Sequence, residues 1–209
     1  MGTATDDEAL KAFARAASAG DEDSAGRMLA ASPPLAGVRL AAGATRQSSA
    51  EAGIFLTEIR HYLYAGDTAL HAAAAAHRPG LAGSLIGLGA DLEAANRRGA
   101  RPLHYAADGI PGWSAWRAED QALTVRRLLE AGAQANAGDI GGVTPLHRAV
   151  RNRCSAVVAA LLEHGADPAQ RTRKGSTALD LTRWTTGRGG AGSAEATAEL
   201  ERIRRLLGA

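Results

Sequence analysis

Histidine is the side chain in this 209-residue sequence best suited to chemistry near neutral pH, as acid, base or metal ligand, and the chain holds six. Three of them, His71, His104 and His147, recur 33 and 43 residues apart. Ligands must converge to about 2 Å from one ion, and side chains held one repeating unit apart cannot do so. The recurrence points instead to one structural position used three times. Two other features invite chemistry. Gly187-Arg188-Gly189-Gly190-Ala191-Gly192 has the spacing of a dinucleotide-binding loop, but that loop follows a strand and needs an acid about 20 residues onward. Here a helical stretch precedes it and the sequence stops at Ala209. It reads as a flexible insert in which Arg188 and bare backbone amides could hold an anion. Cys154, the single cysteine, has no base and orienting acid spaced around it, so it reads as a semi-buried thiol rather than a nucleophile.

The elements that position the histidines follow from what surrounds them. Thr68-Ala69-Leu70-His71, Arg101-Pro102-Leu103-His104, Thr144-Pro145-Leu146-His147 and Thr177-Ala178-Leu179-Asp180 are imperfect copies of one tetrad. A glycine stands five residues ahead of each last position, at Gly66, Gly99, Gly142 and Gly175. A short first helix, a turn and a second helix follow each tetrad. The second helices are marked by Leu85-Ile86, Leu128-Leu129, Leu161-Leu162 and Leu206-Leu207. Each closes on Gly-Ala, at Gly89, Gly132, Gly165 and Gly208, where a left-handed glycine can end a helix. From tetrad to closing glycine the distance alternates between 18 and 28 residues, so alternate units carry ten extra residues between their helices.

A tetrad repeating near 33 residues resembles the ankyrin repeat, and the atypical insertions make the chain similar to bacterial-type members of that family. The resemblance implies an all-α solenoid of about five helix-turn-helix units with turns projecting from one edge. It also implies that the tetrad Thr and His hydrogen-bond the backbone of adjacent turns, while Pro opens the first helix where its missing N–H costs nothing. Residues 1–36 lack the tetrad and read as a degenerate capping unit, 37–65 as a long insert, and 66–209 as four repeats, two of them with inserts at about 110–120 and 186–196. Within the long insert, Gly43 to Ser49 reads as loop, while Phe55, Leu56, Ile59, Tyr62 and Tyr64 argue against full disorder.

In the ankyrin family partners lie along the turn tips and the exposed face of the first helices. Carried over residue by residue, the tips are Tyr64 and Asp67; Arg97 and Arg98 with Arg101; Ile140 and Val143; and Arg173 and Lys174. The helix faces are Ala75 and Ala76; Tyr105 and Asp108; Arg148, Arg151 and Asn152; and Leu181 and Trp184. The first of these faces is bare alanine. The later ones carry arginine, tyrosine and tryptophan, the types enriched at binding hot spots. Trp113 and Trp116 in the first short insert either cap the core or line the groove edge.

Composition narrows the function. Alanine and leucine favour helices, aromatics are scarce at 4%, and 24 Lys+Arg nearly balance 22 Asp+Glu. Residues 1–36 hold six acids against three bases, so the remainder carries the basic excess. The expected function is non-catalytic binding of a protein or peptide with acidic or anionic groups through the last three repeats, with no cofactor and no metal. The alternative is an unusual enzyme or small-molecule binder in which the inserts enclose a cavity over the groove, lined by Asp108, His147, Arg148 and Arg151. Nucleic acid is disfavoured because Asp67, Asp108 and Asp139 interrupt the basic stripe. No stretch approaches a membrane span and the first residues carry no targeting pattern, so a soluble cytoplasmic protein is expected.

Overall fold

Alanine-rich segments between punctuating glycines fold as helices, and the helices come in pairs. The computed structural model describes residues 4–44, 54–111, 116–183 and 194–208. Within them, α1 (Ala4–Ala19) pairs with α2 (Glu22–Ala31), α3 (Ala69–Ala75) with α4 (Pro79–Gly87) and α5 (Pro102–Ala106) with α6 (Ala118–Glu130). The array continues with α7 (Pro145–Arg151) against α8 (Ser155–Glu163), and ends with α9 (Ala178–Leu181) and α10 (Ala194–Leu206). First helices pack on first helices along the array, second helices on second, giving two layers. This is the expected all-α solenoid.

Each tetrad starts its helix by capping it. The Thr68, Thr144 and Thr177 hydroxyls accept the backbone N–H three residues on, satisfying a donor that a helix start leaves open. The histidines then tie each unit to its neighbour. His71 Nδ1 accepts the Thr68 N–H at 3.1 Å, which leaves the proton on Nε2 to donate to the Ala100 carbonyl in the next turn at 3.1 Å. His104 spans from the Arg101 N–H to the Val143 carbonyl, and His147 from the Thr144 N–H to the Ser176 carbonyl. All three are buried, and burial pushes their pKa values down, His104 to about 4. They are neutral struts between units.

The turn tips are linked to one another by backbone bonds. Arg97 N–H donates to the Ala65 carbonyl at 2.8 Å, Ile140 N–H to Arg98 at 3.0 Å and Arg173 N–H to Gly141 at 2.9 Å. Gly99 permits the approach: it has φ 71°, and a Cβ there would stand 2.8 Å from the Ile140 nitrogen.

The long insert is built into the stack. Residues 38–44 run beside 63–68, with Leu40 N–H on the Asp67 carbonyl at 2.8 Å and Ala44 N–H on the Leu63 carbonyl at 2.8 Å. Asp7 on α1 fixes the near end by accepting the Ala41 and Ala42 amides. A small antiparallel hairpin follows, β1 (Phe55–Leu56) with β2 (His61–Tyr62), pairing Phe55 with Tyr62 and Leu56 with His61. Leu40, Ile54, Leu56 and Leu63 are buried with the helices in one core. Residues 45–53, most of the stretch read as loop, lie outside the described residues.

Candidate binding surface

The first helices present equivalent positions to the face turned away from the second helices, and these positions differ sharply in exposure. Ala72 on α3 is 1% exposed and Tyr105 on α5 is 2% exposed, whereas the Arg148 side chain on α7 is 12% and that of Arg151 is 52% exposed. Every residue of α3 is buried. Over Tyr105 the cover is the hairpin. β1 packs on α1, Ser18 bonds Glu58 at 3.3 Å, and the His61 ring meets the Tyr105 ring edge-on with centroids 4.3 Å apart. Small alanines on α3 leave room for a second layer of chain at this end.

Tyr105 is therefore not the exposed aromatic that the sequence suggests. Its hydroxyl donates to Asp67 at 3.1 Å and accepts from Asn96 at 2.8 Å, and Asp67 also takes the Asn96 amide and the Tyr64 N–H. Burial first, then the Asp67 charge, raises the Tyr105 pKa well above its ordinary value. The group is a structural knot beneath the hairpin.

A second cluster marks the hairpin's far border. Arg148 forks between the Asp108 and Asp139 carboxylates, Asn152 donates to Asp108 at 2.9 Å, and Arg151 reaches it at 3.5 Å. Burial pushes the Asp108 carboxyl up, but the Arg148 and Arg151 charges outweigh it and hold the group below its usual range. Two arginines face two carboxylates, so the cluster is close to neutral. The sequence sets Arg148 and Arg151 together on the partner-binding face; in the structure Arg151 is half exposed there, whereas Arg148 is an internal ion-pair partner. His77 closes the cluster by contacting the Asp108 carbonyl at 3.0 Å, and burial lowers its pKa to about 4. Burial lowers that of His61 too, whose buried Nε2 has no hydrogen-bond partner among the described residues; a neutral ring tolerates this better than a charged one.

The tips carry the uncompensated charge. Arg97 and Arg98 are exposed, with their guanidinium carbons 5.5 and 5.0 Å from the Tyr64 ring centre, and Arg98 also donates to the Tyr64 hydroxyl at 3.0 Å. Arg173 and Lys174 are exposed as well. Among the described residues no carboxylate pairs with any of these four cations. The acids of the same turns face inward: Asp67 serves the knot, and Asp139 accepts the Gly141 and Val143 amides besides holding Arg148. Arg101, by contrast, pairs with Glu93 at 2.8 Å.

Other candidates settle individually. Trp116 packs against the core and donates its indole N–H to Gln121, which in turn holds the Ala106 carbonyl, so this end of the insert secures α5 to α6. Trp113 and Trp184, and the whole glycine-rich stretch from Gly187 to Gly192, lie outside the described residues. Cys154 is buried and its pKa is pushed up to about 12, which removes the thiolate that nucleophilic attack needs. Among the described residues no group of three or more His, Cys, Asp or Glu is placed to hold a metal. No described helix is long and apolar enough to cross a membrane. An open cleft of about 400 Å³ lined by Ser155, Ala156, Ala159, Arg202, Arg205 and Leu206 lies on the second-helix side, away from the tips.

The sequence pattern missed His61 and the double role of Asp139. The signal that the insert is ordered was its apolar run, Phe55, Leu56, Ile59, Tyr62 and Tyr64, which did not say where it packs.

Comparison with known proteins agrees with this architecture. A family model for ankyrin repeats in many copies matches residues 128–181. The chain is 35% identical over 113 residues to mouse ankyrin repeat and SOCS box protein 16, an alignment covering 54% of this chain and 24% of that protein. It is 38% identical over 96 residues to rice BTB/POZ domain and ankyrin repeat-containing protein NPR5, covering 45% and 17%. Over 56 residues it is 52% identical to mouse 2-5A-dependent ribonuclease, covering 26% and 8%. The chain thus spans a quarter or less of these relatives. With the tetrads capping paired helices, the histidines bridging successive turns and the repeat match over residues 128–181, the described helix pairs form an ankyrin-repeat solenoid.

Proposed function

We propose that the chain is a non-catalytic module that binds an acidic protein or peptide along the turn tips of its last three repeats and the first-helix face left open at α7. Ankyrin repeats generally mediate protein–protein interaction. The observation that carries the finer reading is the charge layout. Arg97, Arg98, Arg173 and Lys174 stand exposed and without carboxylate partners among the described residues, while the acids nearby are engaged inward. Opposite charge on a partner gains attraction there without displacing an internal ion pair. A cytoplasmic setting fits the single reduced cysteine.

The small-molecule or enzyme alternative has less support. His147 has both ring nitrogens occupied, and Asp108 and Arg148 hold each other. The hairpin packs Leu56 and Leu63 into the core rather than roofing a cavity.

The test is to capture partners with the wild-type chain and titrate each recovered protein calorimetrically against wild type and a variant with the four tip cations reversed to Glu, at low and high salt. More than tenfold weaker binding by the variant, with affinity falling as salt rises, is the expected result. Salt-independent binding that survives the reversal would place the site elsewhere.

A further inference from the structure

We infer that the partner segment is an extended chain with two acidic clusters about six residues apart and an apolar residue midway, laid across three successive turn tips. The inference rests on the protein-binding reading above and specifies its partner. The three tips are unlike one another: Arg97 and Arg98 on the first, Ile140 with Gly141 on the second, Arg173 and Lys174 on the third. Ile140 is 56% exposed, the most exposed large apolar side chain among the described residues, and it lies between the two cationic tips.

The tips also form a fixed ruler. The backbone bonds from Ile140 to Arg98 and from Arg173 to Gly141 hold each tip to the next, and glycine backbone at 99 and 142 lets them approach. Adjacent helices in such stacks lie about 8–10 Å apart, so the two cationic tips are separated by about 16–20 Å. An extended chain rises about 3.3 Å per residue, and five to six residues cover that span. An acidic residue at each end meets a cationic pair, and the residue in the middle meets Ile140. Tyr64 braces the first pair, its ring under both guanidinium groups and its hydroxyl on Arg98, which lowers the cost of ordering those side chains.

The experiment uses the full chain and fluorescent sixteen-residue peptides in a Gly-Ser background, each carrying two Asp-Glu pairs whose facing acids stand two, six or ten positions apart, with Leu or Ser at the midpoint. Anisotropy titration reads the affinities. The six-position peptide with Leu is expected to bind at least tenfold more tightly than the other spacings and several-fold more tightly than its Ser counterpart. R97E/R98E and R173E/K174E should each remove at least tenfold, and Ile140→Ser should erase the advantage of Leu. Thermal unfolding confirms that the variants fold. Affinity independent of spacing, or unaffected by either charge reversal, overturns the inference while leaving a protein-binding module in place. A random-peptide display on the same chain then separates the two failures. Binders blocked by either reversal but lacking spaced acids keep the module and discard this partner; a selection in which no binder responds to the tip variants or to Arg151→Ala discards both.

Discussion

The two ends of the first-helix layer have the same repeat architecture and opposite fates. Over α3 and α5 the inner positions hold Ala72, Ala75 and Tyr105, all buried, with the hairpin of the chain's own long insert setting His61 on Tyr105. Over α7 the equivalent positions hold Arg148 and Arg151, and the second is half exposed. Stacking fixes the helices alike at both ends, so the difference lies in what the chain lays on top. At one end the inner positions are closed by intramolecular packing, and at the other Arg151 stays half exposed. The border is the Asp108–Arg148–Asp139 cluster.

The largest effect that tests this comparison comes from acid. Burial lowers the pKa values of His61, His71, His77 and His104, the last two to about 4 from an ordinary 6.5. The unfolded chain binds the His77 and His104 protons near pH 6.5, while the folded chain refuses them until about pH 4. Their contribution is therefore fully present above pH 6.5 and is lost as pH falls toward 4, on the order of 3 kcal/mol each for His77 and His104. His61 stands in the hairpin itself, and His71 and His77 lie close to it. Hydrogen exchange read by mass spectrometry at pH 7 and pH 5 should show protection lost over α3, α5 and β2 before α8. Uniform loss along the array would erase the distinction between the ends.

Next in size is the removal of the cover itself. Leu56 is buried and stands opposite His61 in the hairpin, so Leu56→Ala should cost about 2–5 kcal/mol in equilibrium urea unfolding, as large as Leu161→Ala between stacked helices. A loss no greater than that of a surface substitution would mean that the hairpin rests on the repeats without being part of their core.

How much of this was legible depends on the separation of the interacting groups. Tetrads, closing glycines and paired leucines are local and periodic, and they fix the helix pairs and caps directly. The hairpin strands are two residues long, with neither length nor alternation enough to announce themselves. Tyr105 looks like a surface aromatic because its cover, His61, is 44 residues away. Arg148 and Arg151 are the same residue type three apart on one helix. Only the placement of Asp108 and Asp139, 40 and 9 residues from Arg148, makes one structural and leaves the other exposed.

That last pair gives the smallest and most discriminating prediction. Arg148→Ala deprives two partly buried carboxylates of a shared guanidinium and should destabilise the fold by about 1–3 kcal/mol. Arg151→Ala gives up one contact at 3.5 Å from a side chain that is half in solvent, and its cost should stay below about 1 kcal/mol. Thermal unfolding of the two variants side by side measures the gap. Binding should divide them in the same way: at Arg151 affinity falls while stability holds, and at Arg148 the two fall together. If Arg151→Ala destabilised the chain as much as Arg148→Ala, the open end would be bound up in intramolecular structure no less than the covered one, and a partner would have to bind on the turn tips alone.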